Sequence, residues 1–458
     1  MTAPASNLRL PPGNFGLPFI GEALQFFRDP DFASKRHAKF GPIFKTRLLG
    51  SPTIFIKGPE GNRFVLSHES EYFQVSWPPS VEKLLGPRSL ALQSGHTHAA
   101  RRKLLVQAFQ PRALAGYVPA MAAISDRYFH SWLDQKELTW YPQLRDYTLD
   151  IACKLLIGLD HGSKTRLGEL FETWDRGLFS LPVNLPWTAF GQAWRNRAGL
   201  LAEIERLVRD RQTLLQADPD RPETDALDIM LKARDEETGE GLSIEELKDQ
   251  VLLLLFAGHE TLTSAIASFC LLMAQNPESI AKARAEQAQF AEQPLTPELF
   301  KQMTYLDQVI KEVLRLVPPV GGGFREVLRD CEYGGFTIPQ GWSAIYQISS
   351  THSDSEVFPN PKDFDPERFA PDSAKLMAFS HLPFGGGLRE CLGKEFARLE
   401  MKIFAARLLR EYQWTLLPDQ DLSMTVVPTP KPRDGLKVRF ERLATSVRDE
   451  ADGESHKE

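Results

Sequence analysis

Ten residues near the C-terminus, Phe384-Gly385-Gly386-Gly387-Leu388-Arg389-Glu390-Cys391-Leu392-Gly393, carry the most specific chemical signal in this chain. One cysteine sits in a glycine-rich loop, with an arginine two residues before it and an aromatic ring seven before. Glycines let backbone amides turn toward the sulfur and let the chain run close to a flat macrocycle. The arginine can pair with an anionic arm of such a ring, and a helix beginning just after the sulfur favours its thiolate form. A lone cysteine is usually a small core residue. This one, with Phe384, Gly385 and Arg389 around it, reads instead as a thiolate ligand to haem iron.

A second set lies in Phe256-Ala257-Gly258-His259-Glu260-Thr261, midway along an apolar stretch. The stretch is expected to form one helix from Ser243 to about residue 275, opened by a Ser243/Glu246 capping box and stopped at Asn276-Pro277. Ala257-Gly258 leaves room for a flat ligand or a dioxygen molecule, and Glu260 and Thr261 can pass protons through water. The structural alternative has Thr261 bonding back to a carbonyl one turn earlier. Glu312 and Arg315 share a helix face. Arg368, in Asp365-Pro366-Glu367-Arg368-Phe369, is expected to complete a buried Glu–Arg–Arg network under the cysteine loop, a structural role. His98 and Arg102, four apart on another helix, can hold an anionic group together, and Arg325 is a further candidate. Arg101-Arg102-Lys103 otherwise reads as a solvated basic face. Gly321-Gly322-Gly323 lacks the Lys and Ser/Thr of a phosphate loop.

These residues need a frame. The first 13 residues are Pro-rich and contain no apolar run, so neither a signal peptide nor a membrane anchor is expected there. Short β-like runs over 43–49 and 53–56 precede a mostly helical region from about 94 to 317. Strand signals return between 333 and 348, a Pro-studded coil leads to the cysteine loop, and a helix follows it. No composition shift marks a linker, so residues 1–442 are expected to form one domain and 443–458 a polar, disordered tail. The four cysteines show neither CxxC pairs nor disulfide-like spacing, which suits a reducing cytoplasm. A net charge of −6 in a chain of 458 residues carries no nucleic-acid signature.

In their order and spacing, His98/Arg102, Ala257 to Thr261, Glu312/Arg315, Glu367-Arg368-Phe369 and Phe384 to Gly393 resemble the cytochrome P450 family over nearly the whole chain. The resemblance implies a mainly α fold with a smaller β-rich lobe: a triangular helical prism with haem b between the long helix and the helix after Cys391. It also implies a monooxygenase that inserts one atom of dioxygen into a C–H bond. Cys391 would be the iron ligand, and His98, Arg102, Arg325 and Arg389 the propionate partners. Thr261 and Glu260 would serve as the proton relay. His98 departs from the tryptophan found in many members at that place, yet still offers a donor. Residues 10–22 and 318–325 look like the retinoic-acid-hydroxylating branch, including its soluble cyanobacterial members. That likeness implies a long apolar substrate such as a retinoid or isoprenoid acid. Positions the family uses around the haem suggest Trp77, Phe179, Phe256, Ala257, Val320, Gly322, Phe324 and Val427 as the substrate lining. With no flavin fingerprint and no clustered cysteines, electrons are expected from a separate protein, a ferredoxin. It would dock on a basic patch for which Arg101, Lys103, Arg112, Lys394 and Arg398 are candidates. The alternatives are a peroxide-driven hydroxylase of fatty acids and a non-catalytic haem- or retinoid-binding protein. The Glu260-Thr261 pair argues against both.

Overall fold

Six helices position the residues that follow: α1 (Gly95–Val106), α2 (Trp140–Ile157), α3 (Arg166–Asp175), α4 (Ile244–Gln275), α5 (Thr304–Leu316) and α6 (Lys394–Glu411). The computed structural model describes residues 9–373 and 376–443, so the anticipated tail lies, apart from Leu443, outside the described residues.

Helix α4 begins where its capping residues dictate. The Ser243 hydroxyl accepts from the Glu246 amide while the Glu246 carboxylate accepts from the Ser243 amide, and the helix ends at Asn276 before Pro277. It is long and apolar enough to cross a membrane, yet 72% of its most apolar window is buried within the fold. Its hydropathy is therefore that of a core helix. The N-terminal half (Leu247, Val251, Leu252, Leu255) packs into one apolar cluster with α2 and α3. The C-terminal half, from Leu262 onward, packs into a second with α5 and α6. Each fully buried Leu or Val contributes roughly 1.5–3 kcal/mol. Between the two clusters lie residues 257–261, where small and polar residues replace the large apolar ones.

The β lobe is a five-stranded sheet of β1 (Ile43–Leu48), β2 (Ser51–Lys57), β3 (Phe73–Val75), β4 (Gly322–Val327) and β5 (Ser343–Gln347), in the order β1-β2-β5-β4-β3. Only β2 and β5 pair in parallel. A small hairpin of β6 (Met424–Thr425) and β7 (Lys431–Pro432) reaches back to α4, where the Ser264 hydroxyl donates to the Pro430 carbonyl at 2.6 Å.

Glu312, Arg315 and Arg368 do come together. Arg315 donates from Nε and Nη2 to the two Glu312 oxygens at 2.7 Å each, and Arg368 Nε reaches Glu312 at 3.0 Å. Arg315 also donates to the carbonyls of His352, Pro361 and Asp363. The network thus fastens the Pro-studded coil to α5. It also reaches the start of the cysteine loop: the His352 ring donates to the Arg315 carbonyl at 3.1 Å and accepts from the Leu382 amide at 3.0 Å, and the Leu382 carbonyl accepts from the Gly385 amide at 3.0 Å.

Candidate active site

The cysteine loop is shaped by backbone conformations that side chains resist. Gly385 and Gly387 have φ of +68° and +64°, the left-handed region. A Cβ on Gly387 would overlap the Leu66 carbonyl oxygen, whereas one on Gly385 would meet nothing closer than 4.0 Å. Gly387 allows close backbone approach, and Gly385 leaves open space beside the loop. The Cys391 amide donates to the Phe384 carbonyl at 2.9 Å, closing the loop, and α6 starts three residues later. The Phe384 ring packs on the core under the Arg398 guanidinium.

Cys153, Cys270 and Cys331 are buried, and Cys391 is exposed. The residue is exposed but its thiol is closely surrounded, and this desolvation raises the thiol pKa above its ordinary value. The Gly393 amide and the charge of Arg102 pull it down by less. The helix start therefore does not by itself favour the thiolate, whereas a bound metal would. Among the described residues no group of three or more His, Cys, Asp or Glu could hold a bare ion. An iron at Cys391 would need its other ligands from a macrocycle.

Beside the loop sits a basic cradle. Arg102 donates to the Glu390 carbonyl at 2.6 Å. Arg389 donates to the Gln93 carbonyl at 2.6 Å and pairs with Glu69, whose other oxygen lies 3.5 Å from Arg325. Arg325 is 4% exposed and its Nε has no hydrogen-bond partner. Buried His98 is held neutral, its pKa pushed down to about 4 by burial and then by the Arg389 and Arg102 charges. Arg325 and Arg389 share the Glu69 carboxylate and Arg102 bonds only a backbone carbonyl beside them, so two positive charges have no carboxylate of their own. A dianionic group is what this cradle lacks, and a porphyrin with two propionates supplies that charge.

Midway along α4, Ala257 is exposed, and Phe256 and Thr261 are half-buried on a helix otherwise sunk in the core. This strip faces open space at the seam between the clusters. The Thr261 hydroxyl donates to the Ala257 carbonyl at 2.7 Å. Gly258 does not face the same space: a Cβ there would touch Ala152 and Leu156 of α2. Those contacts are at ordinary distances, 3.9 and 4.0 Å, so the packing there does not itself demand a glycine.

Glu260 lies behind the strip, 2% exposed. One carboxylate oxygen pairs with Arg145 of α2, and the other accepts from the Thr429 hydroxyl at 2.9 Å. Arg145 also binds Glu172 and Asp175 of α3, at 3.0 and 3.1 Å. His259 sits between Glu172 (3.4 Å) and the Thr148 hydroxyl (2.9 Å). Three carboxylates around one arginine leave an excess of negative charge. Burial, then repulsion from Glu260, pushes Asp175 up to about 6. Glu172, less buried, is held down to about 2, its hydrogen bond to His259 and the Arg145 charge outweighing the penalty of burial. A folded-state pKa above the unfolded one means stability present below about 4 and lost as pH rises through 6. Relative to Asp175→Asn, the parent should therefore lose on the order of 2 kcal/mol between pH 4 and 6.5. Thermal melts across that range read it, and a pH-independent difference would contradict it.

A family model described as "Cytochrome P450" matches residues 11–438. The chain belongs to the cytochrome P450 family. It is 53% identical over 448 residues to "Putative cytochrome P450 120" of Synechocystis sp. (strain ATCC 27184 / PCC 6803 / Kazusa), covering 97% of this chain and 100% of that one. It is 36% identical over 454 residues to "Cytochrome P450 26A1" of Xenopus laevis, covering 96% and 91%. The solved structure described as "Retinoic acid bound cyanobacterial CYP120A1" superposes with a TM-score of 0.90 at 52% identity, covering 96% of this chain and 100% of that one. The mainly α prism with a β lobe is therefore the P450 fold, and the chain is a P450 monooxygenase. The family binds haem through a cysteine thiolate and takes electrons from separate redox partners.

Within this P450, the expected substrate-lining residues scatter. The Phe179 and Phe256 rings lie 6.3 Å apart, and Ala257 is open beside them. Val320 and Val427 are exposed on their loops. Trp77 lies between β3 and the next helix, its indole bonded to the Ala91 carbonyl. Phe324 packs against Phe32, Phe44 and Phe55 in the β lobe. Adjacent residues of a strand face opposite sides, so with Arg325 in the cradle Phe324 must point away. Gly322 has no side chain to offer, and a Cβ there would overlap the Tyr346 carbonyl oxygen. The basic patch also thins. Arg101 is committed to Glu246 at 2.6 Å, Lys394 to Glu390 and Arg398 to Glu395, while Lys103 and Arg112 stand exposed. Glu69, Arg145, Glu172, Asp175 and Thr429 were not singled out from the sequence, where nothing local marks them.

Proposed function

We propose that this P450 holds haem b through Cys391 and inserts one oxygen atom from O2 into a C–H bond of a long apolar acid of the retinoid class. When bound, haem supplies dioxygen activation, with thiolate electron density favouring O–O cleavage. The observation that carries the reading is the exposed residue Cys391 beside a cradle with two positive charges that have no carboxylate of their own. His98, Arg102, Arg325 and Arg389 would hold the propionates. Thr261, on the open strip of α4, would present its hydroxyl to the reacting oxygen, and Glu260, one residue before it, would restore its proton. Phe179, Phe256, Ala257, Val320 and Val427 would border an apolar chain. Support for the retinoid class is the solved relative described as retinoic acid bound, at 52% identity across 96% of this chain. A ferredoxin would deliver electrons to the face carrying Lys103 and Arg112. Four free cysteines suit work in the reducing cytoplasm.

The test is turnover of all-trans retinoic acid with a reduced ferredoxin, against peroxide alone. A hydroxylated retinoid formed at least about tenfold faster with ferredoxin and O2 is expected. Equal rates with peroxide alone would favour a peroxide-driven enzyme. Binding without product would favour a carrier.

A further inference from the structure

In the run Gly321-Gly322-Gly323, the last glycine makes room for the ring of Tyr346. Tyr346 on β5 is the cross-strand partner of Gly323 on β4, so the two share one face of the sheet. A Cβ on Gly323 would lie 2.5–2.7 Å from the hydroxyl, Cε1 and Cζ of Tyr346. The ring therefore crosses the glycine, in space that any other residue would fill. Arg325, two residues beyond Gly323, projects from the same face. Its guanidinium carbon stands 5.2 Å from the centroid of the Tyr346 ring. The hydroxyl at the end of that ring lies 4.0 Å from where a Cβ would stand on Gly385 of the cysteine loop. Tyr346 thus reaches from the sheet to the loop and brings its hydroxyl into the basic cradle.

That hydroxyl has a proton to give. Burial raises its pKa, and the charge and hydrogen bond of Arg325 lower it by less, so the phenol stays protonated at neutral pH. A guanidinium only donates, so toward Arg325 the phenol oxygen accepts and its own hydrogen remains available. Glu69 is the carboxylate of the cradle, and its two oxygens already face Arg389 and Arg325. Arg325, 4% exposed, also keeps a buried Nε without a partner. Two unused donors on neighbouring side chains, beside the open space at Gly385, suit one anionic acceptor.

We propose that Tyr346 is a further haem-binding residue, its phenol donating to the propionate that Arg325 takes. The proposal rests on the haem reading above and gives Gly323 its role, which is to seat the ring. A phenol is a neutral donor, so it adds a hydrogen bond to the cradle without adding charge.

Tyr346→Phe keeps the ring on Gly323 and removes only the hydroxyl. In resonance Raman spectra of the haem-loaded protein, the propionate-bending band reports hydrogen bonds to the propionates. That band should shift between the parent and Tyr346→Phe. Transfer of haem to excess apomyoglobin should be about tenfold faster from the variant. The carbon-monoxide band of the reduced protein should stay in place, because the sulfur is untouched, and the melting point of the haem-free protein should not change. A merely structural role for the hydroxyl predicts the reverse, a lower haem-free melting point with the propionate band unmoved. An unshifted propionate band with haem transfer within about twofold of the parent overturns the assignment of Tyr346 and leaves the haem reading standing. A parent that takes up no haem removes both.

Discussion

Cys391→Ala should abolish the red-shifted absorption that the reduced, carbon-monoxide-treated protein is expected to show, and should lower hydroxylation by about a thousandfold or more. The structure offers no substitute ligand: the other three cysteines are buried, and among the described residues no acidic or histidine cluster could hold iron. The cradle of Arg102, Arg325 and Arg389 is untouched by the change, so some haem should still be captured through its propionates. Loss of the spectral band with retained haem is therefore the informative combination. It separates removal of the thiolate from collapse of the fold, which near-UV circular dichroism checks independently. A variant that kept both band and turnover would place the iron elsewhere and end the assignment.

Arg315→Ala should be nearly as severe for stability. The guanidinium is 1% exposed and makes two hydrogen bonds to Glu312 and three to the carbonyls of His352, Pro361 and Asp363. Removing it leaves Glu312, fully buried, with only Arg368 as counter-charge, and strands three carbonyls of a coil that has little regular secondary structure. Breaking a buried pair costs roughly 3–5 kcal/mol. The denaturant midpoint should fall accordingly, and the coil from 352 to 368 should become sensitive to limited proteolysis. Arg315→Lys keeps the charge without the fork and should recover only part of the loss. A midpoint change below about 1 kcal/mol for the alanine variant would show the network to be dispensable.

The split between sequence and structure follows the range of the interactions. The cysteine loop was readable because its constraints are local: left-handed glycines, a closing bond between residues 384 and 391, and a helix start all fall within a dozen residues. The long helix was readable for the same reason, its ends being set by Ser243, Glu246 and Pro277. That Gly258 lies toward α2 was not readable, because its neighbours in the chain say nothing about which helix crosses that face. Phe324 was misassigned although strand alternation with Arg325 already opposed it.

Sequence alone determined the family, the sulfur and the helices that flank it, because each is written in contiguous residues. Tertiary structure alone decided the electrostatics. Arg145 meets Glu260 across 115 positions, Thr429 meets it across 169, and Glu69 meets Arg389 across 320. Such pairs leave no local trace, since a charge is stabilised by whatever the fold brings within a few ångströms and not by its neighbours along the chain.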